Sequence, residues 1–193
     1  VEFGFVNGEE HQRATRICRT INAFFGWDFN SCEMLRAGGV LYPIDFANAC
    51  PDSQVTSLHF HFPWLVKSML RWTIFNAATG RKKPMSLWWD RFFAAHDPEL
   101  DLDTQLERYD AIAREYFDCD RFEEFDAEHL GHLDEVALEF FGSDRFYDIV
   151  QEKVEALFPK HEIKAFTDHF FGMIQFWRKT EMERMARASK PTE

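Results

Sequence analysis

The spacing of apolar residues sets a short alternating stretch between helical ones. Ala14, Ile17, Cys18, Ile21, Phe24 and Phe25 recur at three- and four-residue intervals, one face of a helix beginning near Glu9. Glu9 and Glu10 fall in its first turn, where the helix dipole favours acids, and Gly26 supplies a stop. Residues 27–35 and 40–47 then alternate with a period of two. Trp27, Phe29, Ser31, Glu33 and Leu35 share one face of the first segment, opposite Asp28, Asn30, Cys32 and Met34. On the second, Val40, Tyr42, Ile44 and Phe46 are expected opposite Leu41, Pro43, Asp45 and Ala47. A tight turn at Ala37-Gly38-Gly39 joins the two as a hairpin. Pro43 removes a ladder donor and belongs at an edge or a bulge.

Residues 1–8 read as a strand end and a turn, and 48–57 as loop. Pro63 suits the first turn of a helix carrying Trp64, Leu65, Met69, Trp72, Ile74 and Phe75 and closing at Gly80. Beyond it the pattern predicts helices over 86–95, 103–118, 121–141, 143–157 and 160–187, with Ser86, Asp103, Asp120 and Ser143 as caps. The aromatic residues of these helices, Trp88 and Phe170 among them, fall at helical spacing and read as core. The class is therefore α+β: an N-terminal helix and a β-hairpin, then a mostly α-helical region. The expected division is 1–57 and 58–193.

Charge sharpens that division. Residues 1–100 hold 10 basic and 10 acidic side chains, and 101–193 hold 12 and 23, which gives the whole net charge of −11. An acidic half repels nucleic acid and anionic lipid, so neither is an expected partner. No run of 18 apolar residues and no secretory signal pattern occurs, and a cytoplasmic location is expected. Cys18, Cys32, Cys50 and Cys119 form no C-x-x-C pair and read as free thiols in a reducing compartment. The sequence begins at Val1 rather than Met, which suggests a processed chain or a piece of something longer.

Three clusters could carry chemistry. Asp28, Glu33, Asp45 and Asn48 place acid and amide oxygens near the end of the hairpin. Magnesium prefers oxygen ligands and keeps waters and substrate phosphates in its shell, so two or three such groups on rigid strands suffice. The plainer alternative is an Asx-type corner. His59 and His61, two apart on an extended segment, could face one side as a metal pair, or could pack against the next helix. Asp126, Glu128, His129, His132, Asp134, Glu135 and Glu139 read as a solvated acidic face. Only Asp126-x-x-His129 has the spacing that helical di-metal sites use. The basic run Arg81-Lys82-Lys83 reads as a solvated loop, with a phosphate contact as its alternative. Neither GxxxxGK[ST] nor GxGxxG occurs.

A helix, a strand with an acidic residue, a Gly turn and a strand ending in an acid–Asn–Pro corner together resemble the last part of an ATP-grasp ligase domain. That family commonly closes on Glu-x-Asn, two residues and Pro. Here Asn48-Ala49-Cys50-Pro51 matches the second half, and Gly26-Trp27-Asp28 looks like the family's strand entry. The acid is Asp45, three residues before Asn48 rather than two, so a bulge is needed to aim both at one ion. The resemblance covers roughly residues 9–55. It implies ATP and Mg2+ as cofactors, with Asp45 and Asn48 at the nucleotide phosphates and Asp28, Glu33, Asp45 and Asn48 at the metal. It also implies a small-molecule carboxylate as substrate and an amine or thiol as nucleophile. The phosphate lysines and adenine hinge would come from a missing N-terminal ATP-grasp segment or partner domain, so this chain is not expected to be active alone. No catalytic base can be named. The alternative function is a non-catalytic acidic helical module that docks on another protein.

Overall fold

The computed structural model describes Val6 and residues 8–188, so the turn expected over 1–8 lies largely outside the described residues. In order, the elements are α1 (Gly8–Phe25), β1 (Ser31–Ala37), β2 (Val40–Asn48), α2 (Val55–Leu58), a 3₁₀ turn (His59–His61), α3 (Phe62–Thr79), α4 (Trp89–Ala95), α5 (Leu102–Phe117), α6 (Cys119–His129), α7 (Leu133–Phe140), α8 (Asp144–Glu155) and α9 (Ile163–Ala188). The α+β class is as expected: a helix, a two-stranded antiparallel hairpin, then helices. Packing divides them into two compact units, residues 1–51 with 82–123 and residues 52–81 with 124–193. The sequence suggested a single cut at 57/58; in the structure the chain passes between the units three times.

The first unit is built on α1. Its C-terminus closes with Gly26 N–H donating to Ala23 O and Trp27 N–H to Asn22 O, at 3.3 and 2.8 Å. Gly26 has φ +69°, and a Cβ there would meet Leu87 Cδ2 at 2.6 Å and Tyr116 Oη at 3.2 Å, so both conformation and space demand glycine. Arg13, Arg16 and Arg19 on α1 meet Asp103, Glu107 and Asp110 on α5 at 2.8, 3.4 and 3.1 Å. Numbers rise together on both helices, so α1 and α5 run in the same direction. This ladder is why 82–123 belongs with the N-terminus: the arginines of the balanced half are neutralised by acids of the acidic half. Phe24 adds the apolar contribution, with ring centroids 5.8 Å from Trp89 and 5.5 Å from Phe92. α5 is capped by Asp101, whose side chain accepts from the backbone N–H of Asp103 and Thr104; the expected cap, Asp103, lies in the first turn.

The second unit holds a contiguous core of Val55, Ala137, Phe141, Phe146, Val150, Val154, Phe170, Ile174 and Trp177. On α9, Thr167, Phe170, Ile174 and Trp177 are buried at three- and four-residue spacing, the stripe a core-facing helix needs. Ser143 caps α8 as expected, accepting from Phe146 N–H. The single helix expected over 121–141 is two helices. After the bond from Leu130 N–H to Asp126 O, the chain turns at Gly131 and restarts at Leu133, with Leu130 buried. The helical spacing of Glu128, His132 and Glu135 is interrupted there. Nor is that stretch a uniformly solvated acidic face. Asp126 accepts from Arg71 at 3.1 Å, and Asp134 accepts from Lys67 at 2.7 Å and Arg71 at 3.0 Å. Among the described residues no helix is long and apolar enough to cross a membrane.

Candidate functional site on the β-hairpin

Gly38 and Gly39, both at positive φ, form the two-residue turn of the hairpin. The register then departs from simple alternation. Leu35 pairs with Tyr42, Glu33 with Asp45 and Ser31 with Asn48, so β1 advances two residues for every three on β2. Each step inserts one extra residue into β2, a bulge. The expected faces of β2 hold only as far as Pro43, which sits beside the first irregularity. Residues directly opposite in an antiparallel ladder share a face. Because β1 stays regular, Ser31, Glu33 and Leu35 lie on one face, and their partners Asn48, Asp45 and Tyr42 join them there. In an unbulged strand residues three apart would face opposite ways. Two bulges put 42, 45 and 48 on the same side.

This outer face is graded. Leu35 and Tyr42 are 57% and 50% exposed at the turn end, Glu33 and Asp45 form the middle rung, and Ser31 and Asn48 form the far rung. Two carboxylates on one rung destabilise a ladder by up to about 1 kcal/mol when nothing neutralises them. No basic side chain of the described residues is paired with Glu33 or Asp45; the arginines nearby are committed elsewhere, Arg36 to Glu10 at 2.9 Å and Arg13 to Asp103. The donor set of two carboxylates and one amide, acidic and exposed, suits a hard divalent cation that keeps part of its hydration shell. Asp28 stands apart from this rung, accepting from Lys83 Nζ at 2.7 Å. Lys83 is thus tied to the hairpin entry, while Arg81 packs over Trp72 at 4.9 Å; the basic run is not simply solvated. Among the described residues no three His, Cys, Asp or Glu side chains gather as a metal cluster.

Asn30 is a positioning residue that the sequence reading passed over. Its Nδ2 donates to the Phe46 carbonyl at 2.9 Å, within the stretch of β2 where Asp45 and Asn48 are brought into line. A bulge interrupts the ladder locally, and this side-chain amide ties the segment just before β1 to that part of β2. The sequence signal was an Asn one residue ahead of a strand that faces a three-residue acid–Asn spacing.

The other face of the hairpin carries Met34, Leu41 and Pro43, with Arg36 opposite Leu41. Leu41 and Pro43 on β2, Ile17 on α1 and Leu106 on α5 line a cleft of about 450 Å³, which Arg13 edges by donating to Gly39 O at 3.2 Å. Outside that cleft, the thiols of Cys18 on α1 and Cys32 on β1 are neighbours. Burial, then its neighbour Cys32, push the Cys18 thiol up to about 12. Burial also raises Cys32, against the lowering effect of its bond to Cys18 and with a further rise from the Asp45 charge. Both are therefore protonated, inert thiols at neutral pH.

In the second unit Lys67, Arg71 and Arg184 interleave with Asp126, Asp134 and Glu181. Burial alone would raise the Asp134 carboxyl, but the Lys67 hydrogen bond and the charges of Lys67, Arg71 and Arg184 hold it below the ordinary carboxylate range. Three cations and three anions alternate in a network that ties α3, α6, α7 and α9 together, with Arg71 Nε and Asp126 Oδ1 buried without a hydrogen-bond partner. Comparison of the chain with protein-family models, with curated proteins and with solved structures gave no match.

Proposed function

We propose that the outer face of the hairpin is half of a magnesium–nucleotide site, and that the chain is the C-terminal part of an ATP-grasp-type carboxylate–amine or carboxylate–thiol ligase. The observation that carries this reading is the bulged register, which brings Asp45 and Asn48 to one face despite their three-residue spacing. Asp45 and Glu33 would supply carboxylate oxygens to the metal, and Asn48 an amide oxygen or a contact to phosphate. Asn30 would hold the bulged strand in place. When bound, the magnesium ion would neutralise phosphate charge as the nucleotide reacts with the substrate carboxylate. Asp28 would act by fixing the entry to β1 through Lys83. The lysines and the adenine pocket would come from a preceding segment or a partner domain, so nucleotide affinity of the chain alone is expected to be weak.

The test is a titration with Mn2+ and ADP followed by amide NMR. Paramagnetic broadening should centre on Glu33, Asp45 and Asn48, and Asp45→Asn or Glu33→Gln should abolish it. Broadening spread over the acidic helices and unchanged in both variants would sink the proposal. A second reading, a non-catalytic module that docks on another protein, is favoured by one observation. Leu35, Tyr42 and Ile44 leave a patch of exposed apolar side chains on the hairpin, Ile44 being 53% exposed. That reading predicts partner binding lost in Tyr42→Ser and indifferent to Asp45→Asn.

A further inference from the structure

His59 occupies a backbone conformation suited to glycine. It ends α2 at φ 47° and ψ −120°, positive φ in a residue with a Cβ. Such strain persists only where the surroundings impose it, and it is enriched at binding sites. The imidazole is held as well as the backbone. Its Nε2 lies 2.8 Å from the Thr56 carbonyl oxygen, and because a carbonyl only accepts, Nε2 carries the proton. In that tautomer the lone pair is on Nδ1, the usual arrangement of a metal-binding histidine whose other nitrogen is tied to a backbone carbonyl.

The partner of His59 is not His61. The sequence suggested an extended segment with both rings on one side, but His59–His61 is a 3₁₀ turn. At three residues per turn, residues two apart point in different directions. His169 on α9 stands opposite instead, its ring centroid 6.0 Å from that of His59 and its plane at 83°. Buried Phe170 packs on His59 at 5.2 Å and backs the pair with an apolar wall. His169 itself is exposed, its ring 5.3 Å from that of Phe170. Metal–nitrogen bonds of about 2.0–2.1 Å place two ligating rings at a centre-to-centre separation on the order of 6 Å. The nearest acid on α9, Asp168, is already committed to Lys164 at 2.6 Å and Tyr147 at 2.8 Å.

We propose that His59 and His169 form a two-imidazole site for a borderline divalent transition-metal ion of the Zn2+ class. Nδ1 of His59 and one ring nitrogen of His169 are the protein ligands, and water or an incoming donor takes the open positions. Imidazole selects Zn2+, Cu2+ or Ni2+ over Mg2+. The site lies within the second unit and is independent of the hairpin reading.

The probe is Zn2+ added to the full chain, followed by calorimetry and by NMR of the histidine ring nitrogens, with Mg2+ as the control. One Zn2+ should bind, shifting His59 Nδ1 and a His169 nitrogen, while Mg2+ leaves both unmoved. His59→Gln and His169→Gln should each weaken binding at least tenfold, and His61→Gln should not. His59→Gly, which suits the positive φ, should keep the fold and lose the ion, separating ligand loss from misfolding. Unchanged affinity in both Gln variants overturns the proposal. So do Zn2+-induced shifts confined to His129 and His132 or to Cys18 and Cys32, and so does affinity weaker than about 1 mM.

Discussion

The two units are stabilised by different means. The second has a contiguous core in which Phe141, Phe146, Val150, Val154, Ile174 and Trp177 are almost fully buried. The first also buries Ala23, Phe92, Ala113 and Tyr116, but there α1 and α5 are joined in addition by ion pairs, of which Arg13–Asp103 and Arg16–Glu107 are partly exposed, and the hairpin turns Leu35 and Tyr42 outward. Exposed pairs contribute little individually, whereas a buried aliphatic or aromatic side chain contributes several times more. The acidic rung thus lies on the exposed hairpin of the first unit, away from that unit's buried side chains.

The largest expected effect tests the core. Ile174→Ala removes a fully buried side chain and should destabilise the second unit by about 2–5 kcal/mol. Hydrogen exchange should show α8 and α9 losing protection while α1 and α5 keep theirs. Equal loss in both units would end the distinction between them.

A middle-sized effect concerns the charged tie. The Asp134 carboxyl is held below its ordinary value in the fold. Its contribution is therefore complete above the ordinary carboxylate pKa of about 3.9 and is lost as pH falls through the lowered folded value. Asp134→Asn should cost about 2 kcal/mol at neutral pH. It should also flatten the fall in stability below about pH 4. An unchanged acid limb would show that other carboxylates govern it.

The smallest effect concerns the ladder. Arg16 and Glu107 are 3.4 Å apart, with side chains 40% and 63% exposed. Arg16→Ala should change urea-unfolding stability by less than about 0.5 kcal/mol. A loss above about 1 kcal/mol would mean that the three pairs act as one network.

Much of this was legible locally. The apolar spacing from Ala14 to Phe25, the Gly38-Gly39 turn, Pro63 near the start of α3 and Ser143 capping α8 all follow from residues within a few positions of one another. The break at Gly131 was legible less well, because the residues around it continue a helical pattern and only the burial of Leu130 marks the turn. Asp101 rather than Asp103 caps α5 for a similar reason: either acid could do so, and the geometry selected the earlier one.

The sequence alone determined the hairpin and most of the longer helices, because helix period, strand period and turn chemistry are local. Tertiary structure decided three things that depend on contacts between distant residues. Arg13, Arg16 and Arg19 find acids about 90 residues away and bring 82–123 to the first unit. His59 faces His169 rather than His61, because strand-like alternation gives way to a 3₁₀ turn packed on α9. Asp45 and Asn48 share a face because β1 fixes the register of β2 and inserts the bulges. A period of two predicts the opposite, since the residue that breaks it is visible only from the partner strand.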